Sequence, residues 1–147
     1  MTAAIEIIAR AVITAERHLL LARKKGAAHT FLPGGHVEFG EPAEVALARE
    51  LQEELGIVAE IGRFLGAIEH AWDDAHGRSH ELNLVFEVTW PGLDKPAPVR
   101  SAEPHLEFVW QPTDRLAAVN LLPTVLCDVL PRWLDARAGS GWSSTLR

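Results

Sequence analysis

The chain has a single cysteine among its 147 residues, Cys127. One thiol cannot close an internal disulfide, so a packed core must stabilise the fold, and a reducing compartment suits it. Cys127 falls in an apolar helical pattern and is expected to be buried and inert. Tyrosine is absent altogether. No apolar stretch reaches the roughly 20 residues needed to span a bilayer. Nor does the N-terminus read as a secretory signal, because Glu6 and Arg10 interrupt its apolar residues. The expected location is therefore cytoplasmic. Positive charge is scarce as well. Fourteen Lys and Arg against twenty Asp and Glu leave a net charge of −6, which argues against a nucleic-acid polymer as partner. No internal repeat or interdomain linker is visible. A chain of this length fits one domain with a real core, expected over residues 1–137. The small, polar stretch 138–147 (AGSGWSSTLR) is expected to be a mobile tail.

What the sequence does have is concentrated between Leu32 and Ile57, LPGGHVEFGEPAEVALARELQEELGI. A glycine pair leads into a polar loop, Pro42 is placed to open a helix, and Gly56 to close it in the left-handed conformation. At helical spacing Glu50, Glu53 and Glu54 share one narrow arc with the small Ala43 and Ala46. Val45, Ala48, Leu51 and Leu55 occupy the opposite arc, which can face a core. Three carboxylates on one face repel one another. Such an oxygen-rich set suits a hard cation, Mg²⁺ above all, which shares its remaining positions with water and substrate phosphates.

In order, the residues are Gly35, Glu41, Arg49-Glu50-Leu51-Gln52-Glu53-Glu54-Leu55-Gly56-Ile57. With five residues between the first two and seven before Arg49, this pattern resembles the Nudix box of the Nudix (MutT-related) pyrophosphohydrolases, at every fixed position. The resemblance implies an α/β fold, an α/β/α sandwich with a mixed sheet between helices. It implies hydrolysis of a nucleoside diphosphate linked to some group X, with Mg²⁺ as cofactor and Mn²⁺ as its substitute. Carried over by position, Glu50, Glu53 and Glu54 would bind metal with the Gly34 carbonyl, Glu50 doubling as candidate general base. Arg49 would hold a box carboxylate in place, and Glu41 would stabilise the loop. Glu103 or Glu107, before the last strand, could supply a further base, with Glu103 favoured. Many small family members are dimers, so a homodimer is left open.

The flanking chain fits that scheme. Ile5–Ile13, Leu19–Ala22, Val58–Glu69, His80–Val88 and Leu106–Trp110 read as strands, with Gly62 and Gly66 as bend or bulge positions. His70–Arg78 reads as a polar loop. In His80–Val88, Leu82, Leu84, Phe86 and Val88 face a core, and Glu81, Asn83 and Glu87 a polar surface or cleft. Pro123–Arg137 carries a helical pattern that Pro131 should kink. His70, His76 and His80 match no compact zinc spacing. Substrate contacts are expected from Arg23, which could grip phosphate bidentately, from Phe31 and Trp72 as stacking surfaces, and from Asn120 as a base-edge reader. His36, beside the glycine pair, could touch phosphate, although that box position is more often an exposed filler. The missing tyrosine, and the lack of a proline about fifteen residues past the box, set aside two family markers. These belong to dinucleoside polyphosphate and ADP-ribose hydrolases. A nucleoside di- or triphosphate, including damaged forms, is the expected substrate class, with an ADP-ribose or dinucleoside polyphosphate hydrolase as the alternative and a non-catalytic nucleotide sensor as a further one.

Overall fold

The computed structural model describes residues 3–135, 137 and 139–146. Its core is set by alternation along the strands. On β1 (Glu6–Val12), Ala9 and Ala11 turn to one face and Ile8, Arg10 and Val12 to the other, as a period of two requires. β1 pairs in parallel with β6 (Gly77–Thr89) and antiparallel with β4 (Gly34–His36). β6 pairs antiparallel with β5 (Glu60–Asp74), giving a mixed five-stranded sheet in the order β4-β1-β6-β5-β8, where β8 is Gly141–Ser144. β2 (Thr14–Ala15), β3 (His18–Lys24) and β7 (Leu106–Pro112) form a second, antiparallel sheet.

Helices cover both faces. α1 (Ala43–Leu55) packs Leu47, Leu51 and Leu55 on Ala9, Ala11, Leu20, Phe86 and Val88. α2 (Leu126–Trp133) packs Leu126, Val129, Leu130 and Trp133 on Val12, Leu21, Leu65, Ile68 and Val85. The result is the expected α/β/α sandwich. Truncating Leu47 or Leu51, both fully buried, to Ala should cost about 2–5 kcal/mol.

Several boundaries differ from expectation. Pro42 caps α1 in an extended conformation, its carbonyl accepting from Ala46 N–H, while Gly56 closes the helix at φ +69°. Val45 is exposed and Ala46 fully buried, so the core arc is rotated toward the acidic face and carries Glu54 inward with it. The expected loop at His70–Arg78 is instead the end of a long β-ribbon, closed by a turn at Ala75 and His76. Asp74 Oδ1 accepts from His76 N–H at 2.8 Å, and Gly77 takes φ +112°. Side-chain polarity there marked solvent exposure of a ribbon, not a loop. The register of β5 shifts around Gly62 and Gly66, where bulges were expected. α2 is shorter than the helix read from sequence, with Pro131 inside it two residues before the end. Cys127 lies on α2 half-buried rather than fully buried, and burial pushes its thiol pKa up.

The chain end also departs from the expected tail. Gly141–Ser144 run parallel to Gly66–Glu69 as β8, although Ala138 and Arg147 lie outside the described residues. Gly66 and Gly141 are register partners, and the Trp133 indole occupies the space their missing side chains leave. A Cβ at Gly66 would come within 2.8 Å of that ring. Pairing satisfies the backbone of β5 along its outer edge.

Candidate active site

The helix and the glycine pair make the centre of the site. The backbone of Gly35 runs so close to α1 that a Cβ there would fall on the Glu50 carboxylate, which only glycine avoids. Gly34 N–H turns to Glu54 Oε2 at 3.3 Å. Glu54 is buried, and burial lifts its pKa to about 8 against an ordinary 4.5, with nearby Glu50 and Glu103 adding to the rise. Arg49 organises the neighbours. It grips Glu41 through Nε (2.9 Å) and Nη2 (3.0 Å), reaches the His36 carbonyl at 3.1 Å, and holds Glu50 Oε1 at 3.1 Å. Glu53 stands more exposed, 3.4 Å from Arg49 Nη1. The bond from Arg49 and that from Glu38 N–H hold Glu41 below the usual carboxylate range, and Glu41 in turn raises the Arg49 pKa.

Among the described residues no three acidic, His or Cys side chains converge closely enough to hold a metal ion. Glu54 is turned to Gly34 N–H, while Glu50 and Glu53 share Arg49 Nη1. The donor set still fits a hard divalent ion. It consists of oxygen ligands on one helix face, one of them the buried Glu54 carboxylate.

A cleft of about 830 Å³ opens beside this centre. Glu50, Glu54, Gly34 and Gly35 line it together with Phe31, Trp72, Arg10 and Asn83. Of the expected substrate contacts, Phe31 and Trp72 are brought there. Arg23 is not. It pairs with its register partner Glu107 across β3 and β7 at 2.8 Å, which also occupies Glu107, and the neighbouring Lys24 lines the cleft in its place. Asn120 does not line the cleft either. It holds φ +51° at the end of a short 3₁₀ turn (Leu116–Val119), and its Nδ2 donates to the Ala28 carbonyl. Glu103 sits in a loop tied to the end of α1 by a bond from Ala102 N–H to the Glu54 carbonyl. His36 is exposed, as expected, at the edge of the cleft and 3.3 Å from Glu6.

Arg10 was not foreseen as a site residue. Its Nε donates to Asn83 Oδ1 at 3.3 Å and its Nη1 to the Leu32 carbonyl at 3.0 Å, with the guanidinium 5.6 Å above the Phe31 ring. Burial works against its charge, while Glu81, Glu54 and Glu50 favour it. No carboxylate is within ion-pair distance of it among the described residues. The signal was present in the sequence, an arginine flanked on both sides by apolar residues, Ile7-Ile8-Ala9 and Ala11-Val12.

Comparison with known proteins bears on this constellation. A family model described as NUDIX domain matches residues 6–128. Over 78 residues the sequence is 33% identical to an ADP-ribose pyrophosphatase of Methanocaldococcus jannaschii, covering 51% of this chain and 45% of the relative. Over 62 residues it is 36% identical to an 8-oxo-dGTP diphosphatase of Escherichia coli K12, covering 40% and 48%. The matches thus span a little under half the length of these two relatives. Among solved structures, a MutT NUDIX hydrolase from Burkholderia pseudomallei is 30% identical with a TM-score of 0.61, over 76% of this chain and 85% of that one. A MutT protein from Methanosarcina mazei Go1 has a TM-score of 0.69 at 24% identity, over 90% and 95%.

Proposed function

The chain belongs to the NUDIX family, and from that premise we propose that it is a Mg²⁺-dependent pyrophosphohydrolase acting on nucleoside di- or triphosphates, damaged forms included. One observation carries the reading. The box carboxylates Glu50 and Glu54 line the same cleft as two aromatic walls, Phe31 and Trp72, and a deep arginine without an ion-pair partner among the described residues. A nucleotide needs all three: oxygen ligands for a metal at its phosphates, a cation for the anion, and a flat apolar surface for the base.

Glu50, Glu53, Glu54 and the Gly34 carbonyl would hold the ion. When bound, it neutralises phosphoryl oxygens and lowers the pKa of water. The rest falls to the chain. Water attacks a phosphorus, its oxygen forms the new P–O bond, the bridging P–O bond breaks, and Glu50 or Glu103 takes the water's proton. The proximity of Glu103 to Glu54 supports the second choice of base. Arg49, fixed by Glu41 through two hydrogen bonds, keeps the Glu50 rotamer. Arg10 reaches the substrate's phosphates through the cleft floor. The substrate is a small molecule, consistent with the net charge of −6.

The test is incubation with Mg²⁺ and a panel of nucleoside di- and triphosphates, oxidised nucleotides, ADP-ribose and dinucleoside polyphosphates, with Glu53→Gln in parallel. Turnover of nucleoside di- or triphosphates by the wild type, lost in the variant, is expected. Turnover of ADP-ribose or of dinucleoside polyphosphates alone would replace the substrate class. Binding without turnover would make the protein a nucleotide sensor.

A further inference from the structure

The cleft has a wall that the box does not build. His70 and Trp72, two residues apart on β5, stack with ring centroids 5.0 Å apart and planes 27° apart, and both line the cleft. Behind them stands the end of the chain. Thr145 N–H donates to the Glu69 carbonyl, Ala71 N–H donates to Thr145 Oγ1 at 3.2 Å, and Thr145 Oγ1 lies 3.0 Å from His70 Nδ1. An amide can only donate, so Ala71 N–H takes one lone pair of the hydroxyl, which is left with a proton to give His70 Nδ1 and a second lone pair to accept from it. Where the hydroxyl gives its proton to Nδ1, the ring is neutral with its own proton on Nε2, and the two ring nitrogens diverge, so Nε2–H turns away from Thr145. Burial lowers the His70 pKa, opposed by Glu81 across the ladder, which agrees with a neutral ring.

We propose that Thr145, the residue just after β8, helps build the ligand site. Thr145 is a positioning residue that fixes His70 against Trp72, making a flat platform with one hydrogen-bond donor, His70 Nε2–H, at its edge. The chemistry it fits is a planar heteroaromatic ring bearing an acceptor, which means the base of the nucleotide. This rests on the nucleotide reading above and deepens it, and it binds a base without the metal.

The experiment titrates AMP, GMP, CMP and UMP into wild type, Thr145→Val and Thr145→Ser, all in EDTA, and follows the His70 imidazole nitrogens by ¹⁵N NMR. The wild type should show a neutral, Nε2-protonated ring that shifts when at least one monophosphate binds. Thr145→Val should disturb the free-state signature and weaken binding about tenfold, the scale of one buried hydrogen bond. Thr145→Ser should restore both. The Mg²⁺-induced rise in melting temperature should be equal in all three proteins, since the box is untouched. An unchanged signature and affinity in Thr145→Val would overturn the proposal. So would a wild type that binds none of the four yet turns over nucleotides with Mg²⁺, a result that leaves the hydrolase standing. Monophosphate binding as described, without turnover of any nucleotide, would keep the platform and sink the hydrolase.

Discussion

Glu54 should make the metal-free protein less stable, and its replacement by Gln should show this in a pH-dependent way. The folded pKa is about 8, set chiefly by burial, against 4.5 in the unfolded chain. Between those values the folded chain holds a proton that the unfolded chain has released. Unfolding therefore releases it, and stability falls as pH rises from 4.5 to about 8, with the full cost present above that window. At 1.36 kcal/mol per pH unit, the gap sets a ceiling of about 5 kcal/mol. Water entering from the cleft and side-chain relaxation reduce it to about 2–3 kcal/mol. Gln has nearly the same shape, still accepts from Gly34 N–H, and carries no charge. Thermal unfolding in EDTA should give equal melting temperatures for wild type and Glu54→Gln at pH 5. At pH 9 the variant should melt higher by about 5–10 °C. Adding Mg²⁺ at one hundred times its Kd should then close most or all of that gap, because the wild type gains about 2.7 kcal/mol by mass action and the variant, short of one ligand, gains less. A Glu54→Gln protein that is less stable at pH 9 in EDTA, or a difference independent of pH, would refute the burial argument.

Two further substitutions probe the surrounding geometry. Gly35→Ala puts a methyl group where the Glu50 carboxylate lies, so Mg²⁺ affinity by calorimetry should fall about tenfold or more while the fold survives. Arg10→Met keeps the length of the side chain and removes the charge. It should raise KM by about tenfold to a hundredfold with little change in kcat, since a charged hydrogen bond contributes about 1.5–3 kcal/mol.

What could be read in the sequence is what local spacing fixes. The carboxylate face of α1 and its closing Gly56 both follow from residues within one turn or one loop of each other. That the glycine pair meets this face was an expectation from the resemblance to the Nudix box, not from spacing. What escaped is long-range. Arg23 meets Glu107 across 84 residues, Arg10 meets Asn83 across 73, and His70 meets Thr145 across 75. No periodicity in a single segment reports such pairings, because register in a sheet is decided by which strands become neighbours. Local composition also misled. Asp73, Asp74, His76 and Arg78 suggested a loop, yet Asp73 and Arg78 are cross-strand partners at 3.0 Å on an exposed ribbon. Likewise the small, polar Gly141–Ser144 suggested a tail. Its glycine is what lets the strand lie against β5 beneath Trp133.

The most direct test of the central claim is hydrolysis in H₂¹⁸O with Mg²⁺, following the label into the separated products by mass spectrometry. With a nucleoside triphosphate that the wild type turns over, one ¹⁸O should enter a phosphoryl group of one product, at a rate that collapses in Glu53→Gln. Absence of Mg²⁺-dependent products, unlabelled phosphates, or equal rates in the two proteins would contradict it.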